Sequence, residues 1–239
     1  MEHLLNFTMD AHGGLKRWEE ISEIGLHASI KGALFNLKGQ SDLLKDVKVK
    51  IDCRTPKTEY SPYIEPDQKG AFKRDHVAIY KEGVLVEERA NPRKDFSGRP
   101  RMQTWDPLDS LYFAGYAIWH YLTAPFLFSH PGMLVQERGT WEEEGEVWRK
   151  LAVTFPKTIP SNCSEQTYYI DKAGLIRRMD YHVEIVDSSI GVAHYCYDHI
   201  DVGGITIPSR RVAYPRLADG KHDPNIVLVG LDFDAIEVT

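Results

Sequence analysis

The chain has 239 residues, of which 42% are apolar, so it is long enough to bury a substantial core. Its net charge of −6 argues against nucleic acid and anionic membrane surfaces as partners, because proteins that bind phosphates carry an excess of basic residues. The three cysteines lie far apart, which argues against a disulfide framework and a structural zinc site. The first residues contain no basic stretch followed by a long apolar run, so they do not read as a secretory signal and a cytoplasmic location is expected.

Residues 1–22 are predicted to form two short helices separated by the pair Gly13-Gly14. Beyond them the hydrophobic period changes to two. In KDVKVKIDCRT (45–55) apolar and polar residues alternate strictly, and EIGLHASIKGALFNLKG (23–39) alternates around a glycine turn. Such alternation predicts antiparallel strands with one buried face.

One helical segment, residues 106–130, interrupts the strands. Asp106 is predicted as the N-cap and Pro107 as the first helical residue, and Pro125 ends the helix after about Leu122. The apolar run LYFAGYAIWHYLTAPFLF is too short to cross a bilayer, because a span needs about 20 uninterrupted apolar residues. We therefore predict a buried helix and no membrane span.

This helix is apolar on every side, and it carries aromatic rings with polar tips, of which we single out four: Tyr112, Tyr116, Trp119 and His120. A helix of this kind must be covered all round. Two interpretations remain open. Either a curved sheet packs tightly around a purely structural helix, or the sheet leaves a pocket whose wall combines apolar area with a few hydrogen-bonding groups. In the second case the four residues bind the ligand.

A predicted hairpin over residues 175–200 carries a candidate polar cluster. With a turn centred on Ser188–Ile190, His194 stands opposite Glu184, and the next hairpin brings an arginine opposite Cys196. The candidate polar cluster on this face consists of Asp180, His182, His194 and Arg211. The opposite face carries three further predicted ligand-binding residues, namely Tyr181, Tyr195 and Tyr197.

Three interpretations of that cluster remain open. Two histidines and a carboxylate are typical of a facial metal site. A histidine–aspartate pair with an arginine suits a general base and an anion holder. A solvated outer face of charged cross-strand pairs explains the same alternation without any site, and we predict no bound metal.

Sequence motifs for common cofactors are lacking. The chain contains no GxSxG, no GxxxxGK[ST] and no GxGxxG, so neither an α/β-hydrolase nucleophile nor a nucleotide cofactor is predicted. The basic loop NPRKDFSGRPRM (91–102) precedes the aromatic helix. It is interpreted either as an attractive site for an anionic head group at the mouth of a cavity or as a solvated loop.

Several stretches resemble the LolA/LppX-like lipoprotein-carrier superfamily. They are YYIDKAGLIRRMDYHVEI (168–185), AHYCYDHIDVGGITIPSRRVAY (193–214), IVLVGLDFDAIEV (226–238) and the opening AHGGLKRWEEISEI. The motifs HGGLxRW and YFxGYAxWxY are similar to those of uncharacterised bacterial proteins in this group. The resemblance implies an open half-barrel with an apolar cavity, in which the relatives carry acyl chains or lipoproteins.

We therefore predict a mainly β (α+β) fold in one domain over residues 1–239: a single curved antiparallel sheet with helices across its concave side. The predicted function is binding of a hydrophobic or amphipathic, lipid-like small molecule between sheet and aromatic helix. The alternative is a cofactor-independent hydrolase or isomerase that uses cavity His, Asp and Arg residues, which we favour less. A third hypothesis is an interaction module whose aromatic surface is buried in a homodimer.

Overall fold

The computed structural model describes residues 2–239, in which thirteen strands form one antiparallel sheet. The strands are β1 (Glu23–Lys31), β2 (Val47–Asp52), β3 (Lys57–Ser61), β4 (Gln68–Lys73), β5 (His76–Lys81), β6 (Val84–Ala90), β7 (Leu134–Glu143), β8 (Glu146–Thr154), β9 (Glu165–Ile170), β10 (Ile176–Val183), β11 (Asp187–Val202), β12 (Ile205–Pro215) and β13 (Val229–Val238). Because β1 pairs with β13, the order runs from β6 through β1 and β13 to β7. The predicted open antiparallel sheet is confirmed.

Four α-helices accompany the sheet within the described residues. They are α1 (Glu2–Ala11), α2 (Leu15–Glu20), α3 (Ala33–Leu37) and α4 (Pro107–Thr123), with 3-10 helices at Pro92–Phe96 and Phe126–Ser129. The prediction of two short N-terminal helices is confirmed, except that Met1 lies outside the described residues. The glycine turn predicted within residues 23–39 is confirmed at Gly32 (φ 143°), but the predicted alternation after it was wrong, because the chain continues as α3.

The sheet wraps around α4. One side of this helix packs on β2, β3, β4 and β5, and the other side faces β9, β10 and β12 through the hydrogen bonds described below. Every residue from Leu108 to Thr123 is buried. The aromatic surface on which the homodimer hypothesis depends is thus covered within a single chain. No helix among residues 2–239 is long and apolar enough to cross a membrane.

Candidate functional site

The N-terminus of α4 is fixed by the cap that the sequence predicts. The Asp106 carboxylate accepts a hydrogen bond from the Asp109 amide at 2.8 Å, and the Asp109 carboxylate accepts one from the Asp106 amide at 3.3 Å. Arg89 and Arg99 donate to the buried Asp109 carboxylate at 2.7 and 2.6 Å. This paired anchor fixes the position of the aromatic residues of α4 relative to the sheet.

Trp119 and His120 connect α4 to both halves of the sheet. The Trp119 indole N–H donates to the carbonyl of Asp52, the last residue of β2, at 2.9 Å. His120 Nε2 lies 2.6 Å from the Tyr168 hydroxyl on β9. Both rings are almost fully buried. The Trp119 indole N–H and the Nε2 atom of His120 therefore find partners in the protein, as buried polar groups require.

A chain of buried hydrogen bonds runs from α4 to β11. The Tyr116 hydroxyl donates to Asn162 Oδ1 at 3.0 Å, and Asn162 Nδ2 donates to the Tyr121 hydroxyl at 3.4 Å. The hydroxyls of Tyr121 and Tyr181 are 3.0 Å apart, and Tyr181 contacts His194 Nδ1 at 3.2 Å. The inner face, meaning the side of the sheet toward α4, thus holds a connected polar network inside an aromatic core.

Sequence reasoning missed two members of this network, Tyr121 and Asn162. Tyr121 follows His120 in the same aromatic run, so the all-round burial predicted for the helix could have identified it. Asn162 lies between β8 and β9, outside any strand. No periodic pattern there shows which side chain turns inward.

The predicted register of the β10–β11 hairpin was wrong. The turn consists of residues 184–186, not Ser188–Ile190, and β11 begins at Asp187. His194 stands opposite Met179 rather than Glu184, a shift of five residues along β10. Side chains alternate between the two faces of a strand. A register shift by an odd number of residues therefore puts residues that were predicted to share a face on opposite faces of the sheet.

The candidate polar cluster is consequently divided between the two faces. Asp180 and His182 lie on the outer face, where Arg216 donates to Asp180 at 3.1 Å and lies 3.3 Å from His182 Nε2. His194 and Arg211 lie on the inner face. The predicted grouping was therefore wrong, and within residues 2–239 no three His, Cys, Asp or Glu side chains are arranged to hold a metal ion.

The predicted tyrosines divide in the same way. Tyr181 lies on the inner face, whereas Tyr195 and Tyr197 belong to an aromatic cluster on the outer face. Tyr195 and Tyr197 therefore do not face α4 and lie away from any ligand held there. The predicted placement of Arg211 opposite Cys196 is confirmed.

Arg178 occupies the centre of the outer-face cluster and is fully buried. It makes a two-pronged ion pair with Asp180 at 2.7 and 2.9 Å and donates to Glu143 at 2.9 Å. Its guanidinium lies over three aromatic rings, those of Trp141, Tyr169 and Tyr195. Each charge in this cluster has a partner of opposite sign, which is typical of a structural ion cluster.

Burial keeps several histidines neutral. Burial, and to a lesser extent the charge of Arg211, lowers the pKa of His120 to about 3. Burial also lowers the pKa of His12 and of His199 to about 4, and that of His194 well below its usual value. These imidazoles therefore carry no charge at neutral pH and act as neutral hydrogen-bonding groups.

The lowered pKa of His120 predicts that the free energy of unfolding decreases on acidification. His120 is protonated in the unfolded chain below about pH 6.5 but not in the folded chain until about pH 3, so the unfolded state binds more protons between these values. Stability then rises with pH across that window, and His120 contributes about 1.4 kcal/mol per pH unit to the slope. Urea unfolding between pH 6 and 4 should show a correspondingly smaller slope in His120→Gln. The exposed-site variant His130→Gln should keep the wild-type slope, and a wild-type slope in His120→Gln would contradict the assignment.

Two open clefts lie beside α4. The first, called the N-terminal cleft, has a volume of about 480 Å³ and contains Tyr112 together with Phe155 and Ile159 from the segment after β8. The second, called the C-terminal cleft, has about 290 Å³ and contains Trp119 and Thr123 together with apolar residues of α2 and the 3-10 helix after α4. One predicted binding residue of α4 thus lines each cleft, Tyr112 the N-terminal cleft and Trp119 the C-terminal cleft.

The basic loop before α4 is anchored by ion pairs. Arg93 donates to Glu184 at 2.7 Å and to the carbonyl of Ser161 at 2.9 Å. Arg99 binds Asp109, as described above, and Arg101 lies 3.7 Å from Asp187. Arg93 also lines the N-terminal cleft. The loop therefore brings positive charge to that cleft while it is held against the rest of the fold.

A scan of protein-family models finds no match, and a search of curated proteins finds none. Solved structures do match. A LolA superfamily protein from Nitrosomonas europaea aligns with a TM-score of 0.54 and 12% identity over 94% of this chain and 91% of that one. The chain has the LolA fold.

Two further structures are similar to this LolA-fold chain. A DUF1329 family protein from Desulfovibrio piger covers 99% of it, with 92% of that chain aligned, at 10% identity and a TM-score of 0.49. A putative outer membrane lipoprotein-sorting protein domain from Vibrio parahaemolyticus covers 98%, with 92% of that chain aligned, at 10% identity and a TM-score of 0.45. At such identities the ligand must be argued from the residues themselves.

Proposed function

We propose that the protein binds a hydrophobic or amphipathic small molecule between α4 and the inner face of the sheet. The N-terminal cleft is the observation that carries this proposal. Its volume of about 480 Å³ falls within the range of about 300–1,000 Å³ that is common for ligand pockets. Tyr112, Phe155 and Ile159 give it an apolar lining, and it opens between the two halves of the sheet.

The rim of the N-terminal cleft suits a molecule with one polar end. Arg74, Arg93 and Lys157 supply positive charge, and Asp75 and Glu184 supply negative charge. A ligand with an apolar body and a polar group can place the body on the aromatic lining and leave the polar group at the rim. The LolA fold supports this proposal, because the resemblance noted in the sequence implies an apolar cavity in that fold.

The residues proposed to contact the ligand all belong to α4 or the inner face. They are Tyr112, Tyr116, Trp119, His120 and Tyr181. The enzymatic alternative has less support. A base whose pKa lies near 3, as for His120, is a weak proton acceptor at neutral pH, and the clefts beside α4 are lined by neither His120 nor His194. A cytoplasmic location remains a prediction.

Blocking the N-terminal cleft should weaken binding without disturbing the core. Thr158 is an exposed rim residue, so Thr158→Trp places an indole across the cleft. We expect affinity for an uncharged fluorescent probe such as N-phenyl-1-naphthylamine to fall about tenfold, as loss of about 1.4 kcal/mol implies. Titration of the probe into the purified protein measures this effect.

Thr140→Trp supplies the matched control, because Thr140 is an exposed threonine of β7 outside that cleft. It should leave probe affinity unchanged. Organic extraction followed by mass spectrometry of the purified protein tests the same proposal without a mutation and should release an apolar or amphipathic compound. Absence of probe binding and of any extractable compound would refute the proposed function.

A further inference from the structure

Arg211 is a buried arginine that has no acidic partner. Its side chain is about 3% exposed, and it projects from β12 into the inner face. Within residues 2–239, no carboxylate oxygen forms an ion pair with it, and its Nε has no hydrogen-bond partner. A guanidinium stays protonated in proteins, so the charge persists where it is buried. Burying a charge without a partner is costly.

The contacts that Arg211 does make leave most of its charge uncompensated. Nη2 donates to the carbonyl of Tyr121 at 2.8 Å, and Nη1 lies 3.9 Å from the Met179 sulfur, which is a weak acceptor. The guanidinium carbon is 5.1 Å from the centre of the Tyr121 ring. The Tyr121 carbonyl belongs to the last turn of α4, where the helix dipole supplies about half a negative charge. An arginine that only caps this helix would still leave Nε without an acceptor.

Arg178 shows how the same fold treats a structural arginine. It is as deeply buried as Arg211, on the opposite face of the sheet, and it binds both Asp180 and Glu143. Acidic partners are thus placed around the arginine of the outer face and not around the arginine of the inner face. The difference points to an anion that is supplied from outside the chain.

Two histidines near Arg211 also have a free ring nitrogen. His194 Nε2 and His120 Nδ1 are buried and have no partner, like Arg211 Nε. Both rings flank Tyr121, with centroids at 4.6 Å for His194 and 6.3 Å for His120. A neutral imidazole can donate from such a nitrogen when its other nitrogen accepts from a tyrosine hydroxyl. Arg211 Nε, His194 Nε2 and His120 Nδ1 are thus three hydrogen-bonding groups beside Tyr121 that have no partner in the protein.

We propose that Arg211, His194 and His120 form a buried site for the carboxylate head group of an amphipathic acid. This site rests on the proposed function and gives its ligand a chemical class. The apolar body of the acid would then lie along the aromatic side of α4, and its carboxylate would reach Arg211.

Dodecanoic acid, its methyl ester and dodecanol test the head-group site, since they differ only at the polar end. Displacement of N-phenyl-1-naphthylamine from the full chain at pH 8 should show the acid binding about 10- to 100-fold more tightly than the ester and the alcohol, as expected for charge-assisted hydrogen bonds. In Arg211→Gln the preference should fall to about one, and Arg211→Lys should retain part of it. Arg210→Gln, at an exposed neighbour on the same strand, should keep the full preference.

The outcomes separate this site from the proposed function. If none of the three compounds displaces the probe and the probe itself does not bind, both proposals fail. If acid, ester and alcohol bind equally to the wild-type chain, binding stands and the carboxylate site is refuted, even if the Arg211 variants do not fold. If acetate alone raises the melting temperature through Arg211 while the long-chain acid shows no preference, a free small anion is the occupant and the amphipathic-acid proposal is overturned.

Discussion

Replacement of Arg178 by methionine is expected to lower the free energy of unfolding by about 3–5 kcal/mol. The substitution leaves the Asp180 carboxylate, whose side chain is 3% exposed, without its two-pronged partner. It also removes the hydrogen bond to Glu143 and the cation that stacks on three aromatic rings. Arg216 still donates to Asp180 at 3.1 Å, but losing the two-pronged partner leaves much of the desolvation cost of this buried carboxylate uncompensated, which is why the effect is large. Urea unfolding followed by circular dichroism measures it.

Two further variants distinguish the ion cluster from general damage to β10. Arg178→Met/Asp180→Leu should recover much of the loss, because replacing both members of a buried ion pair by apolar residues is often nearly neutral. Arg177→Met, at the preceding residue, should cost less than about 1 kcal/mol, since the Arg177 side chain is 33% exposed and its pair with Asp171 is long, at 3.9 Å. Equal losses in Arg177→Met and Arg178→Met would contradict this account of the cluster.

The parts of the fold that depend on local chemistry were predictable from the sequence. Asp106, Pro107 and Pro125 carry the start and stop signals of α4, and the observed helix ends at Thr123, one residue after the predicted end. The β11–β12 register was also predictable, because the Gly203-Gly204 pair adopts positive φ angles of 58° and 86° that favour a tight turn there. That turn places Arg211 opposite Cys196 as expected.

The β10–β11 register was not predictable in the same way. Asp187, Ser188 and Ser189 have the composition of a turn, yet they form the start of β11. The actual turn, residues 184–186, contains Ile185 and Val186, which carry no turn signal. A register shift at residues 182–183 disturbs the pairing further. Since one odd shift exchanges the two faces, this local ambiguity was enough to misplace half of the candidate polar cluster.

The corrected register changes what the polar residues of the C-terminal strands can do. On the outer face Asp180 neutralises Arg178 and binds Arg216, so the acidic group is already used. On the inner face Arg211 remains without an acid beside neutral histidines. The sequence alone shows Arg178 and Arg211 on the two strands that flank β11, and only their faces distinguish a satisfied charge from one that is free to bind a ligand.

Substitution of Gly115 by alanine should destabilise the protein by about 3 kcal/mol, although the same change in an exposed helix stabilises by about 1 kcal/mol. A Cβ atom at Gly115 would lie 2.4 Å from Cβ and Cγ of Phe72, so α4 or β4 must move apart. These Phe72 atoms are close to the backbone and cannot swing away as the end of a long side chain would. Ala117→Gly on the same helix measures the local glycine penalty, expected near 1 kcal/mol. A gain in melting temperature for Gly115→Ala would show that the sheet does not close tightly on α4, and thermal unfolding of both variants decides between these outcomes.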